Sequence, residues 1–165
     1  WTLPVADGTA NQFLQTNGSG VLSFAASADI GARVFNSADI SITNDTLTAL
    51  TFDSERWDTD TIHSTATNTS RLTATTAGKY LITGYITWDI GTTGYRFVII
   101  RINGVTTVAT LRSAAINNTS QVIASISNLA ATDYVELLVQ HTQGVALSVI
   151  LSAQTSPEFA MQKIG

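Results

Sequence analysis

The stretch Gly78 to Asp89, GKYLITGYITWD, decides the fold. Tyr80, Ile82, Gly84, Ile86 and Trp88 fall on one face of an extended chain, and Leu81, Thr83, Tyr85 and Thr87 on the other. A period of two belongs to a pleated strand and not to a helix. The first face is apolar enough to line a core. The second carries a leucine and a tyrosine among threonines, so something else is expected to cover it. Tyr95 to Ile102, YRFVIIRI, repeats the feature, with Phe97 and Ile99 opposing Val98, Ile100 and Ile102.

Outward from these two runs, short apolar segments recur between turn residues. They are Arg33 to Phe35, Ile40 to Ile42, Leu47 to Phe52, Arg71 to Thr73, Val105 to Leu111, Gln121 to Leu129, Tyr134 to His141, Val145 to Leu151 and Glu158 to Ile164. Asn44-Asp45, the run Gly91 to Gly94, Asn103-Gly104 and Thr132-Asp133 supply turns. Together they make about ten strands at the spacing of an all-β sandwich. Residues 53–70, DSERWDTDTIHSTATNTS, read as a polar loop anchored by Trp57. No segment has the period and caps of a helix. A sandwich turns one face of each strand inward, so strands with two apolar faces imply a symmetric oligomer.

Of the 165 residues, 44% are hydrophobic and only 12% are charged, about half the usual charged share. Thr, Ser, Asn and Gly fill the gap, which suits half-exposed pleats. The length allows one domain with a real core and a short appendage. A net charge of -4 argues against nucleic acid and against an anionic membrane surface, since both call for basic patches. No run is long and apolar enough for a transmembrane helix, so no membrane insertion is expected. Without cysteine there is no disulfide frame, thiolate nucleophile or cysteine metal site. The chain opens at Trp1 with neither methionine nor signal peptide, and is expected to be a piece of something longer.

Residues 1–24, WTLPVADGTANQFLQTNGSGVLSF, form a separate unit. Asp7-Gly8 and the run Asn17 to Gly20 divide it into three apolar pieces, and such turns supply the positive φ of tight hairpins. A hairpin this small cannot bury its own apolar side chains. Leu3, Phe13, Leu14 and Phe24 are therefore candidate attachment residues. Residues 25–32, AASADIGA, read as a linker. The expected division is a β-hairpin stem and linker over 1–31 and a head domain over 32–165.

Residues from about 32 onward resemble the complement-one-q / tumour-necrosis-factor superfamily of trimeric jelly rolls. The resemblance rests on Ala32-Arg33-Val34-Phe35, Thr51-Phe52-Asp53, Gly78-Lys79-Tyr80-Leu81-Ile82, Arg101-Ile102-Asn103-Gly104 and Asp133-Tyr134-Val135-Glu136-Leu137. At the end, Phe159-Ala160-Met161-Gln162-Lys163-Ile164 departs from the family's Phe-x-Gly-Phe-apolar strand. The run FDSERWDTDTIH with RLTATTAGKYLITG looks most like bacteriophage structural variants, and the leader resembles a motif that recurs along phage fibre-type proteins. The resemblance implies a homotrimer with one sheet of each subunit around a threefold axis. By that analogy Leu81, Tyr85, Phe97, Ile99 and Tyr134 are assigned to the trimer interface.

Candidate chemistry is sparse. Asp53, Glu55, Asp58 and Asp60 place four carboxylates in eight residues, a density of hard oxygen ligands that calcium can use. There is no EF-hand spacing, and Arg56 among them offers a simpler neutralisation. No cofactor other than that calcium is expected. His63 and His141 lack the paired carboxylate and nucleophile of a catalytic set, and no nucleophile elbow or phosphate loop is present. The chain is expected not to be an enzyme. Loops 53–63, 89–95, 113–120 and 141–145 are candidate receptor-binding loops, with Trp57, Tyr95 and Asn117 as candidate contacts; core or interface filling is the competing role of the aromatics. The expected function is a phage virion structural protein, a trimeric fibre head that attaches to host surface carbohydrate or protein. The alternatives are a capsid decoration or head-fibre protein anchored to other virion proteins through residues 1–24, or a bacterial surface adhesin. The expected location is the virion surface, with the cell surface as the alternative.

Overall fold

The computed structural model describes residues 1–10, 12–26, 29–152 and 157–165; part of the linker expected over 25–32 lies outside them. The described residues form fourteen β-strands and no helix, so no helix there is long and apolar enough to cross a membrane. β1 (Gln12–Thr16) and β2 (Leu22–Ala26) pair with each other as a hairpin. The first five-stranded sheet has the order β11 (Ser120–Leu129), β8 (Gly78–Thr87), β14 (Glu158–Lys163), β3 (Gly31–Phe35), β6 (Ser54–Asp58). The second runs β10 (Thr106–Ala114), β9 (Tyr95–Ile102), β12 (Tyr134–His141), with β5 (Thr48–Ala49) and β7 (Arg71–Thr73) both paired to β12. β4 (Ile40–Ile42) pairs with β13 (Leu147–Val149). Antiparallel neighbours distant in sequence, such as β14 with β3, give the crossovers of a jelly roll.

The expected inward face of β8 is the centre of the core. Tyr80, Ile82 and Ile86, with Trp88 just past the strand end, are fully buried. They share one cluster with Val98 and Ile100 of β9 and with Val135, Leu137 and Val139 of β12. Each large side chain so buried contributes about 1.5–3 kcal/mol. Gly84 completes the register: a Cβ there would stand 2.6 Å from Leu137 Cδ1. The missing side chain lets Leu137 press onto the β8 backbone. Phe52 and Phe159 stack at 5.9 Å between centroids.

The structure corrects three expectations. Residues 53–70 are not all loop, because Ser54–Asp58 is the edge strand β6 paired with β3. Its charges obscured it, yet charged side chains are what an edge strand tolerates. Leu47 to Phe52 contributes only Thr48–Ala49 as strand, and Val145 to Leu151 only Leu147–Val149. Leu50 and Phe52 are core residues beyond that short ladder: their amides donate to Leu137 O and Thr69 O.

Two tests follow from this packing. Gly84→Val should destabilise by about 1–3 kcal/mol through overpacking. Adding Leu137→Ala should recover part of that loss in a double-mutant cycle read by denaturant unfolding; strict additivity would refute the contact. Tyr80 is the second probe. Burial first, and Asp60 second, push its phenol above the usual value of 10.0. The unfolded chain ionises first, so stability should fall as pH rises past that value. Tyr80→Phe should flatten this alkaline loss.

Candidate functional site

The two outward faces of the sandwich are finished differently. On the second sheet arginines lie over the aromatic side chains, although Tyr95 remains 44% exposed. The Arg112 guanidinium lies 3.6 Å from the Tyr95 ring centroid and 5.4 Å from that of Phe97. Arg71 lies 3.9 Å from that of Tyr134. On the first sheet, Val122 and Ile126 of β11 remain 64% and 63% exposed. They stand directly across from Tyr85 and Leu81 of β8, with Ala124 opposite Thr83 between them. The result is an open apolar strip.

Beside that strip lies an ion cluster. The Glu158 carboxylate pairs with Arg33 and accepts from Arg56 Nε at 3.1 Å, with only 7% of its side chain exposed. Arg56 also lies 4.0 Å over the Phe35 ring. One carboxylate thus meets two guanidiniums. A shallow recess of about 260 Å³ opens here, lined by Arg33, Thr83, Tyr85, Val122, Glu158 and Ala160 among others.

The ends of the sandwich also differ. β3 starts at Gly31 beside Gln162 near the chain's end, so the hairpin segment joins this end. Thr59 N donates to Gly31 O and Lys79 N to Gly165 O, placing the 59–62 loop and the start of β8 here as well. The opposite, distal end carries loops 36–39, 43–46, 89–94, 115–119 and 142–146. A buried polar cluster supports it. Arg96 has no exposure; its Nη1 donates to Thr93 O and Tyr95 O, and its Nη2 to Gln143 Oε1 at 2.7 Å. Trp88 Nε1 donates to Gln121 Oε1 at 2.9 Å, and Gln121 Nε2 to Arg96 O. His141 packs edge-on against Trp88. Its Nδ1 accepts from Gln143 N, so Nε2 carries the proton donated to Ile42 O. Burial pulls the Arg96 guanidinium below its usual value.

The residues singled out from sequence are distributed over several places. Leu81 and Tyr85 lie on the outward face of β8, whereas Phe97, Ile99 and Tyr134 lie on the outward face of the other sheet. These five therefore do not form one surface. Sequence reasoning missed Val122 and Ile126. Gln121 to Leu129 has apolar residues on both registers, and only the β8 pairing shows which is outward. Tyr95 and Asn117 belong to the distal end. Trp57 does not: it pairs with Arg33 on β6, along the edge of the open face. Leu3, Phe13, Leu14 and Phe24 are all exposed on the N-terminal segment.

The four carboxylates proposed for calcium are each engaged separately. Asp53 accepts from Ser37 N and Oγ, and these bonds, with Ser54, outweigh the opposing effect of burial and lower its pKa. Glu55 meets His63 Nδ1 at 2.9 Å. Asp58 caps the amides of Asp60, Ile62 and His63, and Asp60 binds Thr75 Oγ1. Among the described residues no three carboxylates or histidines gather as a metal site requires. His63 meets Glu55 and Thr69 O, and His141 is held between Ile42 O and Gln143 N.

Comparison with known proteins gives a fold. No protein-family model matches the chain, and no curated protein sequence does. Among solved structures it is similar to Eiger TNF from S. frugiperda, with a TM-score of 0.62 at 16% identity over 83% of this chain and 93% of that one. It is likewise similar to murine APRIL, with a TM-score of 0.64 at 10% identity over 83% of this chain and 100% of that one. The fold is a TNF-like jelly roll. Likeness at such identity speaks for architecture and leaves function to the surfaces.

Replacing Glu158 tests the ion cluster. Glu158→Ala removes the carboxylate that Arg33 and Arg56 share, and should cost about 2 kcal/mol, between the values for surface and buried pairs. Removing Arg33 as well should restore part of it. An unchanged denaturation midpoint for Glu158→Ala would mean that solvent screens the cluster.

Proposed function

We propose that this chain is a non-enzymatic virion protein, the trimeric head of a phage fibre that attaches to the host surface. The observation that carries the reading is its polarity. The apolar N-terminal hairpin joins one end, a braced set of loops stands at the other, and an open apolar strip runs along the sheet between them. A fibre head needs these three things: an anchor, an association face and a free tip. The likeness to TNF-like jelly rolls supports three copies packing through one sheet, and the resemblance of the leader to fibre-type motifs supports the virion. Leu81, Tyr85, Val122 and Ile126 of the first sheet form the association face. The capped aromatics of the second sheet stay outside.

A particle needs the exposed apolar residues Leu3, Phe13, Leu14 and Phe24 covered, and other virion proteins are their natural partners. That requirement also suits a capsid decoration protein, so location on the particle separates the two. Gold-labelled antibodies to this chain should mark fibre tips in electron micrographs. Label spread over the capsid would favour decoration, and no label on any particle would refute the virion reading. In solution, a Val122→Asp/Ile126→Asp variant should be monomeric while keeping its β-sheet circular dichroism. A wild-type chain of monomer mass would refute the association face.

A further inference from the structure

Arg96 and His141 stand directly opposite each other where β9 meets β12. Both turn inward and neither has any exposure. Side chains at directly opposed positions lie close enough for their charges to interact. Trp88 lies beside both: the His141 ring is edge-on to it at 5.3 Å between centroids, and the Arg96 guanidinium is 5.8 Å from its ring centroid. Gln143 joins the pair. Its N–H donates to His141 Nδ1 at 3.2 Å, and its Oε1 accepts from Arg96 Nη2 at 2.7 Å. Its carbonyl also accepts from Thr93 Oγ1. One residue therefore ties loop 142–146 to loop 89–94 and to both buried side chains.

This arrangement requires a neutral imidazole. Nδ1 accepts from Gln143 N with its lone pair, while Nε2 donates to Ile42 O. A proton taken from solvent onto Nδ1 would set N–H against N–H. It would also place a second positive charge opposite Arg96, inside the sandwich, where like charges repel most strongly. No carboxylate stands by to offset it. Around His141 the charged residues are Arg96 opposite, Arg112 over the Tyr95 ring on the outer face, and Asp39, Asp45 and Asp89 in the loops. The three aspartates are exposed; they accept from Leu151 N, Gln140 Nε2 and Ile90 N. Among the described residues the ion pairs lie elsewhere, at Glu158, Glu55 and Glu136. His63 is the contrast, since its Nδ1 meets the Glu55 carboxylate.

We propose that Arg96, His141 and Gln143 form an acid-sensitive latch, which holds the distal loops at neutral pH and releases them when His141 Nδ1 takes a proton. The latch stands on the geometry alone and is independent of the attachment reading. Its sign follows from counting protons. The released form carries one more, so a falling pH favours it, by at most about tenfold per pH unit. The test follows the backbone amides of the full chain by NMR between about pH 8 and pH 5, the range in which imidazole titrates, with the His141 ring resonances alongside. The amides of Gly91, Thr93, Gln143 and Gly144 should shift or broaden at the pH at which that ring gains its second proton. Those of the Asn103-Gly104 turn, at the opposite end of β9, should stay unchanged. His141→Asn keeps an acceptor two residues before Gln143 N and cannot take a proton, so its loops should stay closed in acid. Should that variant misfold, the wild-type titration decides by itself. Loop amides that move at a different pH from the His141 ring, or that do not move, would overturn the latch. So would an unaltered acid response in folded His141→Asn.

Discussion

Leu137 occupies the space that a Cβ at Gly84 would need, and that contact sets how closely the two sheets approach. Around it the inward residues of β8, Tyr80 to Ile86, meet those of β9 and β12 in one cluster. Close packing fixes the register of each strand, because a one-residue slip would turn every core side chain to solvent. The outward residues then have no choice of position. Leu81 and Tyr85 face away because Ile82 and Ile86 face in, and β11 must present Val122 and Ile126 beside them. The open strip is thus a consequence of the core, not an independent feature.

The same constraint polarises the molecule. Antiparallel strands return the chain alternately to two ends, and β3 and β14 place both the hairpin connection and Lys163 at one of them. The other end is left to loops. Those loops are held by a buried arginine whose Nε finds no hydrogen-bond partner among the described residues. Burying a guanidinium without a carboxylate is costly. The carbonyls of Thr93 and Tyr95 and the Gln143 amide offset part of that cost, and loop order is the return.

Much of this was legible in the residues. The period of GKYLITGYITWD placed Tyr80, Ile82, Ile86 and Trp88 inside, where they lie fully buried. The turns at Asn103-Gly104 and Asn17 to Gly20 sit where positive φ occurs, at Asn103, Gly104, Gly18 and Gly20. Most of what failed to show has one cause: single-strand patterns do not record partners. YRFVIIRI has two apolar faces, and nothing local tells that Phe97 is capped by Arg112 while Val122 is capped by nothing within the described chain. Arg96 offered a signal that went unused, since it shares the inward register of Val98 and Ile100. β6 was hidden by its charges. Trp57 looked like a loop anchor because its pairing with Arg33 lies far away in sequence.

The central claim is that copies of this chain associate through the first sheet and not the second. The chain has no cysteine, so single cysteines can map the contact without background. Val122→Cys reports on the first sheet, and Thr110→Cys on the outward face of the second, where Thr110 stands opposite Ile99. With a short bifunctional thiol cross-linker, the account predicts inter-chain products from Val122→Cys and none from Thr110→Cys. Products from Thr110→Cys alone, or from neither, would contradict it.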